Sequence, residues 1–554
     1  MSGHNDVTSA TRCTVLAVGL AGALLVVVPT GPGSGPSGPG GQPPPSTPAE
    51  GTSLPPDDEP VLQPADDSQV VLLDEEEQVE PTEEDPGAVE SEDDADDGAG
   101  ALDAARLDLV RAIGAGLLVL ISLMLTAIST IRLRRMLHAW WSPASLGETD
   151  LEHEPLTTSF SLVVVGGRND EGFGRTLERL AAFDHPDVEI LAVVGQEELG
   201  AREVATAAAY RHPDRIRLVV DRDVRGHETR ALNTGLAACR GDVLGVFQAG
   251  DEVRPGLLRH VEAALATTGA DVVQSGVLLT AENPSWFSVR RMLESYFWFR
   301  SRLRYYAQQR FVPLATTSLF GRVNVLRGAD GWAGDAVAEG CELGVRLSVA
   351  GVPVAVTWDP QLVTGTAMPP SIRALSDEQT RWIQGFLQVL RRGAWRSLPT
   401  RRQCALARVT LAMPFLEAVA GAAVPALAAV AVVADAPPPI VLVAFLPLIP
   451  ALTTLVVEMV GLGELGRTSG VRTRTRDWVR LLLGAVPYQL LLGAAALRAL
   501  VRELRGDRSP DTASHMNDDA AGTDAVDRPR LVARSTGRRE QFDHLVTKTG
   551  AVDR

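Results

Sequence analysis

The chain has 554 residues and a formal net charge of −17, enough length for several domains. The acidity is local: residues 31–105 hold 21 Asp and Glu and no Lys or Arg, which leaves 48 acidic and 52 basic residues elsewhere. The nearly neutral remainder, with its arginines flanking apolar runs, argues against a nucleic-acid binder. The four cysteines, Cys13, Cys239, Cys341 and Cys404, are too scattered for a metal motif or a disulfide framework.

Residues 1–30 contain an apolar run, 13–29, that reads as a signal segment or a membrane anchor. Arg12 is the only basic residue before it and the small-x-small cleavage pattern is poor, which favours the uncleaved anchor. Residues 31–105 form an acidic Pro/Gly-rich linker that cannot bury a core and is expected to be disordered. Residues 106–135 hold a transmembrane helix, Leu109 to Ile131, followed at once by Arg132, Arg134 and Arg135. The positive-inside rule puts those arginines in the cytoplasm and the acidic linker outside.

Residues 156–395 read as a soluble α/β domain. Leu162–Val165, Val188–Val194, Ile216–Asp221 and Val243–Phe247 are apolar strands. Helical patterns fall between them, at Thr176–Phe183, 201–211 and Ala231–Cys239. This alternation predicts a mostly parallel sheet with helices on both faces. In such a sheet, ligands sit at the carboxyl ends of the strands, which here points to Gln248-Ala249-Gly250-Asp251. Residues 403–500 carry three further apolar stretches, 405–433, 440–462 and 481–497. The first is longer than one span needs, with Pro414 marking a bend and its start expected at the interface. The loop with Arg467, Arg472, Arg474 and Arg476 reads as cytoplasmic. Five full spans would leave the basic residues from Arg498 onward outside, so either the third or the fifth stretch does not cross simply or the tail breaks the charge rule. The spans are read as showing no paired charges that would argue for passage of a polymer. Residues 506–554 form a polar tail expected to be disordered.

The segment 295–306, SYFWFRSRLRYY, reads either as an amphipathic helix at the lipid surface or as a helix packed on the sheet. The basic stretch 391–402 is expected to contact anionic lipid.

The motifs GGRND (166–170), GQEE (195–198), RALN (230–233), QAGD (248–251), TTSLFGR (316–322), GADGW (328–332), AEGCELGVRL (338–347) and EQTRWIQG (378–385) follow one another through the domain. In this order they resemble the membrane-anchored glycosyltransferases of family 2, the cellulose- and hyaluronan-synthase-like group. That resemblance implies a GT-A (Rossmann-like) α/β domain in the cytoplasm, inserted between transmembrane helices of the plasma membrane. It also implies transfer of a sugar from a UDP- or GDP-linked donor to a lipid-linked or polysaccharide acceptor, with magnesium or manganese if the chain is active.

Residue by residue, the resemblance carries nucleotide contact to Asn169, Glu197, Glu198, Arg230, Asn233 and Gln248. It carries a metal ligand to Asp251, contact with the acceptor hydroxyl to Glu339 or Glu342, and donor contact to Arg381 and Trp382. The chain departs from the family at several of these motifs. Gln248 and Gly250 stand where acids are usual, Glu228 where a basic residue is common, Gly340 at the presumed base position, and Glu378 in place of Gln. Two readings follow: a transferase with altered metal use, or a catalytically silent binding or scaffold subunit of a membrane glycan-synthesis complex.

Overall fold

The structure is a computed structural model. It describes residues 94–141, 157–167, 170–221, 228–281, 285–433, 437–469 and 473–507. The first apolar segment, nearly all of the acidic linker and the tail beyond 507 lie outside the described residues. The chain divides into two compact units, and of the smaller, Ala23–Ala112, only 94–112 is described. The account that follows concerns the other unit, from Ile113 onward.

The long helix α1 (Asp94–Trp141) leads into the sheet domain. There β1 (Phe160–Val165), β2 (Val188–Gly195), β3 (Ile216–Asp221) and β4 (Val243–Gln248) are mutually parallel in the order β3-β2-β1-β4. Each follows an apolar run, and β1, β2 and β4 are almost wholly buried. The sheet continues through β7 (Leu319–Arg322), β5 (Val272–Gln274) and β8 (Val354–Val356). Here the expected parallel pattern changes, because β7 runs antiparallel to both β4 and β5. A second, two-stranded parallel sheet pairs β6 (Val277–Thr280) with β9 (Thr364–Ala367).

Both faces are covered, as alternating apolar side chains require. On one face Phe160, Leu162 and Val164 pack against α2 (Asp170–Ala181), α3 (Leu199–Arg211) and α5 (Leu257–Thr268). On the other, Val163 and Leu191 pack against α4 (Glu228–Ala238), α7 (Leu303–Gln308) and α9 (Glu339–Val349). Between β6 and α7 lie α6 (Ser288–Phe297) and a π-helical turn, Trp298–Arg302. The aromatics of 295–306 are mostly internal: Tyr296, Phe297, Phe299 and Tyr306 are each at most 6% exposed. Tyr296 and Phe297 pack with Leu133, Met136, Val457 and Leu462, whereas Phe299 and Tyr306 join the sheet cluster. The segment is thus a buried bridge between the sheet and the apolar helices, and of its two readings the packed one describes it.

The helix α10 (Ile372–Arg392) starts on a Ser371 side-chain cap and ends at Gly393 in the left-handed region. After it come α11 (Arg401–Val433), α12 (Pro438–Phe445), α13 (Leu448–Thr468), α14 (Thr475–Leu483) and α15 (Ala485–Arg505). Three segments among the described residues are long and apolar enough to cross a membrane: Leu109–His138, Arg401–Ala431 and Pro438–Thr468. A fourth candidate, α14 with α15, is bent by 53°. The last apolar stretch is therefore not one straight helix. The expected interfacial start of the first stretch is not separate, since α11 is one helix that carries Pro414 and Pro425 inside it.

One attachment matters for the site. Helix α10 is tied to α15 by Arg391–Glu503 at 2.7 Å, Arg498–Asp377 at 2.9 Å and the Gln384 amide donating to the Asp507 carbonyl at 2.7 Å. Leu375 and Ile383 add an apolar seam with Ala418, Tyr488 and Leu492.

Candidate functional site

A cavity of about 370 Å³ opens where β4 ends and runs toward the apolar helices. This is within the size range of small-ligand sites. Of the residues singled out from the sequence, Gln248, Glu339, Arg381 and Trp382 line it. Glu228, Gly340 and Glu378, noted in the sequence as departures from the family pattern, also line it, and so do Thr316 and Thr317, whose part sequence reasoning missed. The Gln248 amide donates to the Glu228 carboxylate at 2.9 Å, and the Thr316 hydroxyl donates to Glu339 at 2.9 Å. Burial, and then the neighbouring Glu228 charge, push the Glu339 carboxyl up to about 7, with Arg381 pulling the other way. A carboxyl that titrates there is matched to general-base work near neutral pH. Trp382 packs edge-on to Trp298 at 5.4 Å between ring centroids and tilted on Phe386 at 4.8 Å, and keeps part of its surface on the cavity.

Asp251 is placed otherwise. It is 0% exposed and does not line the cavity. Its carboxylate accepts from the Gln248 backbone N–H at 2.8 Å, the Thr317 hydroxyl at 2.5 Å and the Thr366 hydroxyl at 2.8 Å. Burial raises it to about 6. In this geometry Asp251 joins three chain segments, with its oxygens turned into the protein.

Glu342 is likewise committed. It accepts from Arg346, one helical turn on, at 2.8 Å, and that arginine also donates to the Gly331 carbonyl at 2.6 Å. Glu342 is 9% exposed and does not line the cavity, so the geometry leaves Glu339 as the carboxylate of this motif that faces it. Asn233 spends both ends of its amide on the Trp332 backbone, at 2.8 and 2.9 Å. Glu198 accepts from Gly195 N–H at 2.9 Å and closes its own loop. Glu197 and Arg230 are exposed and do not line the cavity, and Asn169 lies outside the described residues.

Two departures from the family pattern have backbone reasons. Gly250 has φ +97°, a conformation that L side chains rarely adopt, so an acid there would be strained. At Gly340 an added Cβ would lie 2.7 Å from the Ala315 carbonyl carbon and 2.8 Å from the Thr316 nitrogen. The first turn of α9 sits directly on the 314–316 backbone, and no side chain fits at 340 unless one of them moves.

For magnesium or manganese the donor set falls short. Hard cations need several oxygen ligands, usually carboxylates. Among the described residues no group of three or more His, Cys, Asp or Glu could hold an ion, and the Asp251 oxygens are already taken. Among the described residues, then, the donor set does not build a cation centre of its own.

Glu378 departs from the family in a way the structure compensates. It pairs with Arg291, which also meets Glu294 at 3.5 Å. The exchange of an amide for an acid is therefore answered by an arginine on a neighbouring helix, a signal that a single motif cannot carry.

Residues 157–385 match the family described as "Glycosyltransferase like family 2". No curated protein matches the chain. Similar solved structures include mannosyltransferase PcManGT from Pyrobaculum calidifontis in complex with GDP-Man and Mn2+. It is 18% identical, with 70% of this chain and 99% of that one covered, at a TM-score of 0.48. Glucosyl-3-phosphoglycerate synthase from Mycobacterium tuberculosis, solved with Mn2+, UDP and glucosyl-3-phosphoglycerate, is 15% identical over 47% of this chain and 88% of that one, at 0.33. S. aureus TarS 1-349 in complex with UDP-GlcNAc is 13% identical over 47% and 86%, at 0.31.

Proposed function

We propose that the chain, whose residues 157–385 match the family described as "Glycosyltransferase like family 2", is an integral-membrane transferase. It takes a sugar from a UDP- or GDP-linked donor and places it on a hydroxyl of a lipid-linked or polysaccharide acceptor. The domain faces the cytoplasm, where nucleotide sugars are made, and the spans sit in the plasma membrane. The observation that carries this reading is the convergence of Gln248, Glu339, Arg381 and Trp382 on one cavity at the strand ends.

In the proposed reaction the acceptor hydroxyl gives its proton to the Glu339 carboxylate as its oxygen attacks the anomeric carbon. The bond from that carbon to the phosphate oxygen breaks, and the nucleoside diphosphate leaves with the electron pair. Arg381 supplies positive charge for the leaving diphosphate, since a guanidinium presents paired donors to phosphate. Trp382 offers an aromatic face to the sugar or the base. Thr316, donating to Glu339, orients the base. Gln248 and Glu228 form the polar wall between the donor and the sheet.

The test uses the purified full-length protein in lipid nanodiscs with UDP- and GDP-sugars, a membrane lipid extract, and either metal. Release of nucleoside diphosphate that depends on Glu339 supports the reading. No release from any common donor, with nucleotide binding intact, would instead support a silent binding subunit.

A further inference from the structure

Three consecutive hydroxyl side chains precede β7, and each goes to a different segment of the chain. Thr316 donates to Glu339 on α9 at 2.9 Å, Thr317 donates to Asp251 after β4 at 2.5 Å, and Ser318 pairs with the Thr364 hydroxyl on β9 at 2.9 Å. The reaction proposed above uses the first of these bonds. The other two, and the buried Asp251 carboxylate, have no part in it.

The backbone of this turn is held in a form it would not take alone. Ser318 is fully buried at φ +54°, the left-handed region that favours glycine. Such a residue persists only where its surroundings over-determine it, and these residues gather at functional sites. Here the Ser318 N–H donates to the Val246 carbonyl at 2.8 Å, and the Ser318 carbonyl accepts from the Ser275 N–H at 3.0 Å. The Gln274 side chain, 0% exposed, wraps the turn. Its amide donates to the Thr317 and Ser318 carbonyls at 3.0 and 3.2 Å, and its oxygen accepts from the Ala315 N–H at 2.9 Å. Residues 315–318 therefore behave as one rigid piece.

Asp251 fixes where that piece sits. The carboxylate oxygen that takes Thr317 also takes the Gln248 N–H at 2.8 Å, while the other oxygen takes Thr366 at 2.8 Å. A single oxygen thus joins the wall that carries Gln248 and Glu228 to the turn that carries Thr316. A fully satisfied buried polar network of this kind specifies one geometry.

We propose that Asp251 and Thr317 are positioning residues for the base: their bond sets the place of Thr316 and, through it, the orientation of Glu339. This rests on the transferase reading above. It gives the one carboxylate of the QAGD loop a task that involves no metal. Ser318 holds the far end of the turn on β9. Glu339 itself reports the state of the turn. The Thr316 hydroxyl favours its charged form, so a slack turn moves Glu339 further up. Glu228 of α4 and Arg381 of α10 also face Glu339, but neither lies on the turn, so the share of the hydroxyl is separable from theirs.

The experiment compares Thr317→Val, Thr317→Ser, Ser318→Gly and Thr316→Val with the parent, each as full-length protein in lipid nanodiscs. One measurement is the pH profile of kcat with UDP- and GDP-sugars and a membrane lipid extract. The other needs no turnover: the melting temperature of each protein minus that of the same protein carrying Glu339→Gln, followed across the pH range. That difference isolates the Glu339 titration, whose contribution to stability is lost as pH rises through about 7 in the parent. Thr317→Val and Ser318→Gly are expected to lower kcat about tenfold, part of the 10²–10⁴ of a general base, and to move the titration up by about one pH unit in both measurements. Thr317→Ser keeps the hydroxyl and stays with the parent. Adding Thr316→Val to Thr317→Val moves the titration no further, because Thr317 acts through Thr316. Glycine suits the φ of +54°, so Ser318→Gly remains informative where Thr317→Val fails to fold. The proposal is overturned if the folded variants titrate with the parent, if Thr317→Ser shifts as far as Thr317→Val, or if the Thr316→Val and Thr317→Val shifts add. Turnover by the parent with no shift in the variants leaves the transferase standing without this role. A shift in the melting curves with no turnover from any donor keeps the hold on Glu339 and removes the transferase.

Discussion

Replacing Asp251 separates a structural carboxylate from a metal ligand. In Asp251→Ala, three donors lose their acceptor: the Gln248 N–H, the Thr317 hydroxyl and the Thr366 hydroxyl. Each buried donor left unpaired costs about 1–3 kcal/mol. Against that, the carboxylate is itself strained by burial. Raising it from 3.8 to about 6 penalises the charged form by about 3 kcal/mol at neutral pH. Three such donors less that penalty put the net loss in Asp251→Ala at about 0–6 kcal/mol, centred near 3 kcal/mol, whereas Asp251→Asn keeps one acceptor, sheds the charge and loses about 1 kcal/mol. The pH dependence has a definite sign. A carboxyl raised in the folded state contributes stability that is full below its unfolded value of 3.8 and is lost as pH rises through about 6. This part of the dependence vanishes in both variants. Thermal unfolding of the full-length protein in detergent at pH 5 and pH 7.5, with and without manganese, reads all of it. The reasoning is refuted if Asp251→Ala melts with the parent, or if manganese stabilises the parent strongly and the variant not at all.

Three other outcomes follow from the site. Glu339→Gln lowers kcat by about 10²–10⁴-fold, the usual share of a general base, with donor KM little changed. In the parent, kcat/KM falls with acidification through about pH 7, and Glu228→Gln moves that limb to lower pH by removing a neighbouring negative charge; identical limbs would disconnect Glu228 from the base. Gly340→Asp, which puts the acid back where the family has it, lowers the melting temperature and does not raise turnover, because the new Cβ meets the Ala315 backbone at 2.7 Å; a faster enzyme would show that α9 can move.

The central strands were legible because each is an uninterrupted apolar run bounded by turn residues, and the position of the site followed from where β4 ends. Gln248, Glu339, Arg381 and Trp382 do meet there. What escaped were side chains whose partners are remote or whose role the family pattern pre-empted. Asp251 looked like a ligand because nothing near it shows that Thr366, 115 residues on, will take its oxygen. The pairing of Glu342 went unread although its partner was in view, since Arg346 stands four places along the same helix, the ordinary spacing of a helical ion pair. The charges at Arg132, Glu417 and Glu458 were visible in the spans, but only the packing of three helices shows that they face one another, so the spans do hold paired charges, contrary to the reading from sequence.

The ties between α10 and α15 have a mechanical consequence. Arg381 and Trp382 ride on a helix fastened near both ends to the last apolar helix, through Asp377–Arg498 and Arg391–Glu503. A bilayer too thin for its spans is accommodated by helix tilt, and a thicker one straightens them. Tilt of α15 drags α10 with it and changes the distance between Arg381 and the strand ends. In the proposed transferase the membrane is thereby part of the lever arm that aligns the donor, and acyl-chain length becomes a control on rate. Turnover measured in bilayers of graded chain length is expected to pass through a maximum; a flat profile would mean that the two helices slip past each other.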